Sequence, residues 1–143
     1  RPAYATGYGL AGSTGYSMTT RAIEKQIKNI ELGNSGEEVV ARFLEKQNVQ
    51  ILEQNFRTKL GEIDIIAQKG STLAFVEVKT RRTEYFDTSY VITKSKKSRL
   101  SKAARQYMLE NNITQKHCRF DVAIVVANDN KPVVRYFRNA FYA

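Results

Sequence analysis

GEIDIIAQKGSTLAFVEVKTR, residues 61–81, decides how this chain is read. Two runs rich in Ile, Val and Phe, EIDIIAQ and TLAFVEVKT, flank QKGS, so the stretch reads as two antiparallel strands turning at Gly70. Asp64, Glu77 and Lys79 stand in these runs where a core would take Val or Ile. Charged side chains are rarely buried unless they are paired, hold a metal or carry out chemistry.

Side chains alternate along a strand, so Glu77 and Lys79 share a face, as do Glu62 and Asp64. In suitable register the hairpin brings Asp64 beside Glu77. Two neighbouring carboxylates resist joint ionisation unless a cation stands by. Lys79 supplies one positive charge, and a divalent ion would supply more. Magnesium takes a few carboxylates, a carbonyl and several waters in octahedral array. Asp64, Glu77 and the main-chain carbonyl of Val78 offer such a set, with Lys79 left to hold the attacking water or offset charge during phosphodiester hydrolysis. The competing reading is a structural acid–lysine pair at the end of a sheet, without metal.

A third acid comes from GNSGEEVVARFL. Val40, Phe43 and Leu44 mark the buried side of a helix, and Glu37 lies near that side, three residues before Val40. The pattern alone does not separate this role from that of Glu37 and Glu38 as exposed first-turn acids favoured by the helix dipole.

Outward from the hairpin, NVQILEQNF is a further strand, RRTEYFDTSY a loop, and residues 93–112 an amphipathic helix with Leu100, Ala103, Ala104, Tyr107 and Met108 inward. CRFDVAIVVA and VVRYFRN are strands separated by the turn NDNKP. Before Glu37, Ile23, Ile27 and Ile30 recur at helical spacing, and the pattern is read as one long helix weakened by Gly33–Gly36. The fold class is therefore α/β, a mixed central sheet flanked by helices in the order α-β-β-β-α-β-β. Residues 1–18, rich in Gly, Ser, Thr and Tyr, are expected to be a flexible extension, native or added, ahead of one domain over 19–143.

The chain of 143 residues carries 23 Lys and Arg against 14 Asp and Glu, a net charge of +9. Such an excess attracts polyanions, nucleic acid first, although basic proteins also owe their charge to solubility alone. Lys94, Lys96, Lys97, Arg99, Lys102 and Arg105 crowd the second helix, with Arg81 and Arg82 before the loop. They would track a phosphate backbone or simply form a solvated face. One cysteine, Cys118, excludes an internal disulfide, and with no secretory signal the cytoplasm is the expected compartment. Nothing approaches the ~20 apolar residues of a membrane span.

GNSGEEVVARFL, QNFR, GEIDII, FVEVKTR, KKSRLSKAARQYM, RFDVAIV and the terminal NAF, in this order from about Leu32 to Phe141, together resemble the YraN-like family. These are small bacterial proteins of unestablished function, placed in the PD-(D/E)XK nuclease superfamily near archaeal Holliday-junction resolvases. The resemblance implies a restriction-endonuclease-like core. Asp64 would be the acid of the second motif, Glu77 and Lys79 the E-x-K, and Glu37 rather than Glu38 the helix acid that joins the metal. It places Arg57, Thr80 and Arg81 near the site and Glu62 behind it. Together with the charged strand positions and the basic balance, the resemblance leads us to expect Mg²⁺- or Mn²⁺-dependent cleavage of DNA, more than RNA, in branched or recombination intermediates, by a homodimer as in resolvase-like members of the superfamily. A nucleic-acid-binding module or a protein adaptor that kept the fold without the activity is the alternative. Phe86-Asp87 departs from the family, which commonly has a glycine after that aromatic.

Overall fold

The structure is a computed structural model, and it describes residues 20–21, 36–81, 92–126 and 131–142. The extension expected over 1–18, the helix before Gly36, the loop with Arg82 and Phe86-Asp87, and most of the NDNKP turn lie outside these residues, apart from Thr20 and Arg21, which are helical and exposed. The chain divides into two units, Arg1–Ser35 and Gly36–Ala143, and the second is the α/β unit.

In that unit helix α1 runs through residues 36–45. Strands β1 (Gln50–Arg57), β2 (Glu62–Lys69) and β3 (Thr72–Arg81) follow, then helix α2 (Lys94–Glu110) and strands β4 (His117–Val126) and β5 (Val133–Phe141). The five strands form one mixed sheet in sequence order. β2 and β3 turn antiparallel through Gly70 and Ser71, with Lys69 opposite Thr72 and Gly70 at φ 59°. A two-residue hairpin turn needs such a left-handed residue, and glycine enters that region without a Cβ clash. β3 and β4 are parallel in unbroken register from Thr72–His117 to Arg81–Val126. Parallel neighbours require a crossover, and α2 lies in that connection.

Alternation along the strands makes two cores, one on each face. Leu73 and Phe75 of β3 pack with Phe120, Val122 and Ile124 of β4 under Leu100, Ala103, Ala104 and Tyr107 of α2. Ala74 and Val76 pack with Ala123 and Val125 under Val40, Ala41 and Leu44 of α1. The α2 face is an aromatic chain: Phe56 meets Tyr107 edge-on at 5.2 Å, Tyr107 meets Phe75, and Phe75 stacks on Phe120 and Phe120 on Phe141. Contacts of this kind add roughly 0.5–1.5 kcal/mol each beyond the area they bury. They tie β1, β3, β4, β5 and α2 into one layer.

Helix α2 starts at Thr93, whose side chain accepts from the Lys96 N–H at 3.2 Å, as an N-cap does. It ends at Glu110, two residues short of the sequence expectation, where the Asn111 side chain takes the Tyr107 carbonyl and Asn112 turns to φ 53°. The turn from β1 to β2 docks on this helix. Thr58 Oγ1 accepts from the N–H groups of Leu60 and Gly61 and donates to the Gly61 carbonyl. A Cβ on Gly61 would stand 2.6 Å from the Arg99 carbonyl oxygen and 3.0 Å from its carbon. Backbone cannot swing aside as a side-chain tip does, so Gly61→Ala is expected to lower stability by about 1–3 kcal/mol, read as a lower urea midpoint with unchanged m-value.

Candidate metal centre

The two-residue alternation slips at Asp64. Ile65 faces the α1 core, yet Ile63 and Ile66 both face the α2 core, which an unbroken strand forbids. The β2–β3 ladder runs from Lys69–Thr72 to Ile65–Val76 and stops there. The next step would set Asp64 opposite Glu77. Asn55, which lies across from Asp64 on β1, has φ 54°. The Val78 N–H, past the end of the ladder, donates to Asp64 Oδ2 at 2.8 Å. A side-chain carboxylate therefore accepts this N–H where the ladder ends.

Glu77 is 6% exposed. It follows Phe75 on the α2 face, and Lys79 lies one period further on. Lys79 Nζ is 3.5 Å from Glu77 Oε1, and Lys96 Nζ, from the first turn of α2, is 2.7 Å from the same oxygen. Asp64 has no such cation among the recorded ion pairs of the described residues. Burial, then the neighbouring Glu77 carboxylate, push its pKa from 3.8 up to about 7. The Val78 N–H works against that rise, and Glu37 and Glu62 add to it. Glu37 thus stands within electrostatic reach of Asp64. It is half-buried at the second described residue of α1, and its Oε2 is wholly covered. Gly36 brings this end of α1 onto β3: a Cβ there would overlap Thr80 Oγ1.

The structure thus brings together Asp64, Glu77, Val78, Lys79 and, by its field, Glu37. The other expected residues fall around them. Arg57 pairs with Glu62 at 3.5 Å on the surface, both more than half exposed. Arg57, Lys59, Lys96 and Arg99 line a cleft of about 380 Å³ between the β1–β2 turn and α2. Lys97 Nζ sits 5.8 Å over the Phe141 ring. Lys94, Arg99 and Lys102 are exposed on α2, and Arg81 is exposed with its guanidinium on the Thr80 carbonyl.

The donor set fits a magnesium-like ion in part. Magnesium is commonly held by one or two carboxylates with waters completing the octahedron, and Asp64 and Glu77 are two acids whose mutual repulsion already calls for a cation. Among the described residues no group of three His, Cys, Asp or Glu side chains is gathered closely enough to hold a metal. The site offers two carboxylates at most as it stands, with Glu37 nearby.

Residues 36–125 match the family described as uncharacterised protein family UPF0102. The chain belongs to that family. A UPF0102 protein of Alkaliphilus metalliredigens is 43% identical over 111 residues, covering 77% of this chain and 96% of its own. UPF0102 proteins of Desulfosudis oleivorans and Caldicellulosiruptor saccharolyticus are each 45% identical over 114 residues, covering 79% and 78% of this chain and 91% and 97% of theirs. The family resemblance read from the sequence is thereby established. The UPF0102 match begins at Gly36, the residue that seats α1 against Thr80, and takes in Asp64, Glu77, Lys79 and Lys96.

Two features escaped the sequence reading. Lys96 was visible only as one of many helix cations, because its pairing with Glu77 depends on where α2 docks. Asp121, quoted only within RFDVAIV, is fully buried and takes bonds from Arg119 Nε at 2.9 and 3.1 Å, from the Tyr136 hydroxyl at 2.5 Å and from the Asn139 N–H at 3.0 Å. A lone acid inside an apolar strand was the available signal, the same one that marked Asp64.

The raised pKa of Asp64 has a consequence for stability. The folded chain holds this proton more tightly than the unfolded chain does. Its contribution is therefore full below about pH 4 and is lost as pH rises through about 7. Asp64→Asn keeps an acceptor for Val78 and never ionises. In chelator it should unfold at higher urea than the parent by about 1–3 kcal/mol near pH 8.5, with the gap closing near pH 4.

Proposed function

We propose that this chain is a Mg²⁺- or Mn²⁺-dependent endonuclease that hydrolyses DNA phosphodiesters, in branched or recombination intermediates. The observation that carries the reading is the acid pair of half-buried Asp64 and buried Glu77 where the β2–β3 ladder ends, with Lys79 on the same oxygen as Lys96. A merely structural ion pair has no need of a second acid whose ionisation it suppresses. Asp64, Glu77 and the Val78 carbonyl would hold the ion, with Glu37 in support. Such an ion lowers the pKa of water and neutralises charge on a phosphoryl oxygen. Lys79 orients the water and offsets the charge that builds on the phosphorus oxygens. Lys96, now on Glu77, is placed to turn to a phosphate once Glu77 has another cation.

The helix beside the site supports a polyanionic substrate. Lys94, Lys96, Lys97 and Arg99 fall in the first six residues of α2, and its first turn has no acid. Cations at a helix N-terminus oppose the macrodipole, at roughly 0.3–1 kcal/mol each. Placed there, they add to the dipole's positive end and make an anion site beside the cleft of Arg57 and Lys59. With no sequence-reading element among the described residues, binding is directed by backbone and shape. A homodimer, with two centres for two strands, belongs to this reading.

The test is cleavage of linear, single-stranded and four-way DNA with Mn²⁺ or Mg²⁺, alongside calorimetric titration with Mn²⁺ alone. Asp64→Ala and Glu77→Ala should each lower cleavage more than about 100-fold, beyond what loss of a supporting residue around a metal costs, and abolish Mn²⁺ binding. Salt-sensitive DNA binding that neither needs metal nor alters the DNA would instead mark a non-catalytic binding module.

A further inference from the structure

A second cleft, of about 210 Å³, opens on the α1 face of the sheet and at the opposite end of β3. Thr72, on its wall, precedes Glu77 by five residues, about 17 Å along a strand. Leu44, Ala67, Ala74 and the Tyr136 ring make its apolar lining, and Lys69, Arg119 and Arg138 supply its charge.

Arg119 is the fixed point. Asp121, with no exposed surface, accepts twice from its Nε and once from the Tyr136 hydroxyl. A guanidinium oriented through Nε presents its Nη groups elsewhere, as a fork that matches the oxygens of a phosphate or carboxylate. Lys69 Nζ is held near the cleft by the Gln47 carbonyl at 3.0 Å. Arg138 is exposed and forms no ion pair among the described residues. Three cations thus line the cleft, and the one acid paired with any of them, Asp121 behind Arg119, is already engaged by Arg119, the Tyr136 hydroxyl and the Asn139 N–H.

We propose that this cleft binds a phosphate monoester, either a free nucleotide or the terminal phosphate of a nucleic-acid strand. Charge favours it over a carboxylate. Two positive charges in excess match a group carrying about −1.5 to −2 near pH 7, whereas a carboxylate leaves one unmet. Size favours a headgroup over a whole ligand, since pockets that enclose a drug-sized molecule run to roughly 300–1,000 Å³. The +9 balance of the chain favours a nucleic-acid source over a phosphopeptide. The inference does not depend on the nuclease reading, because the cleft lies on the other face from Glu77.

The full chain is titrated in chelator with AMP and with adenosine, then with single-stranded oligonucleotides bearing a terminal phosphate or a hydroxyl. AMP should bind and adenosine should not. Arg138→Glu should weaken AMP about tenfold or more, and Arg119→Lys, which keeps the charge but loses the fork, should weaken it as well. Glu77→Gln should leave it unchanged, which separates this cleft from the carboxylate centre. Tighter binding of phosphorylated than hydroxyl ends, sensitive to Arg138→Glu, assigns the strand terminus, and AMP binding without that preference assigns the free nucleotide. Equal binding with and without phosphate, or a phosphate effect that survives both arginine variants, overturns the proposal.

Discussion

Strand β3 is paired with β4 along its length and with β2 as far as Val76, and from Leu73 to Glu77 it is buried, and that constraint orders the rest. Its antiparallel neighbour β2 arrives by a two-residue turn, and its parallel neighbour β4 can arrive only after a crossover that includes α2. Leu73 and Phe75 must then find α2, and Ala74 and Val76 must find α1. A polar side chain within that buried stretch has no solvent to turn to. Glu77 is therefore costly wherever it points, and its two lysines answer that cost.

The centre differs in kind from the surface pair Arg57–Glu62. That pair is open to water, where ion pairs contribute from nothing to about 1 kcal/mol. Around Glu77 the same chemistry is enclosed, and the fold is committed to it: Asp64 holds the Val78 N–H where the ladder ends, Lys96 comes from the start of α2, and Gly36 lets α1 close on Thr80. The sheet, both helices and the carboxylates are mutually dependent. A change at any one of them reaches the others through backbone.

Much of this was legible in residues 61–81. Alternating apolar residues around Gly70 implied the hairpin, and the period of two placed Glu77 and Lys79 on one face, as Lys79 Nζ beside Glu77 Oε1 now shows. The inward residues of the second helix followed from its 3.6 period, and Leu100, Ala103, Ala104 and Tyr107 are buried. The slip at Asp64 was not legible, because it arises where three strands meet an irregularity at Asn55. The Asp121 network was missed for a related reason. It joins β4 to Tyr136 and Asn139 of β5 across a register shift, and no local pattern encodes a shift.

By itself the sequence determined the order of the elements, the hairpin, the inward faces and which acids stood out of place, because these depend on local period and on the price of burying charge. Tertiary structure alone decided what those acids meet. Lys96 reaches Glu77, Glu37 comes within the field of Asp64, and Arg119 is fixed at the mouth of a second cleft, through strand pairing and helix docking between residues far apart in the chain. Docking angles and ladder breaks are set by the packing of whole surfaces, and a one-dimensional pattern holds no record of them.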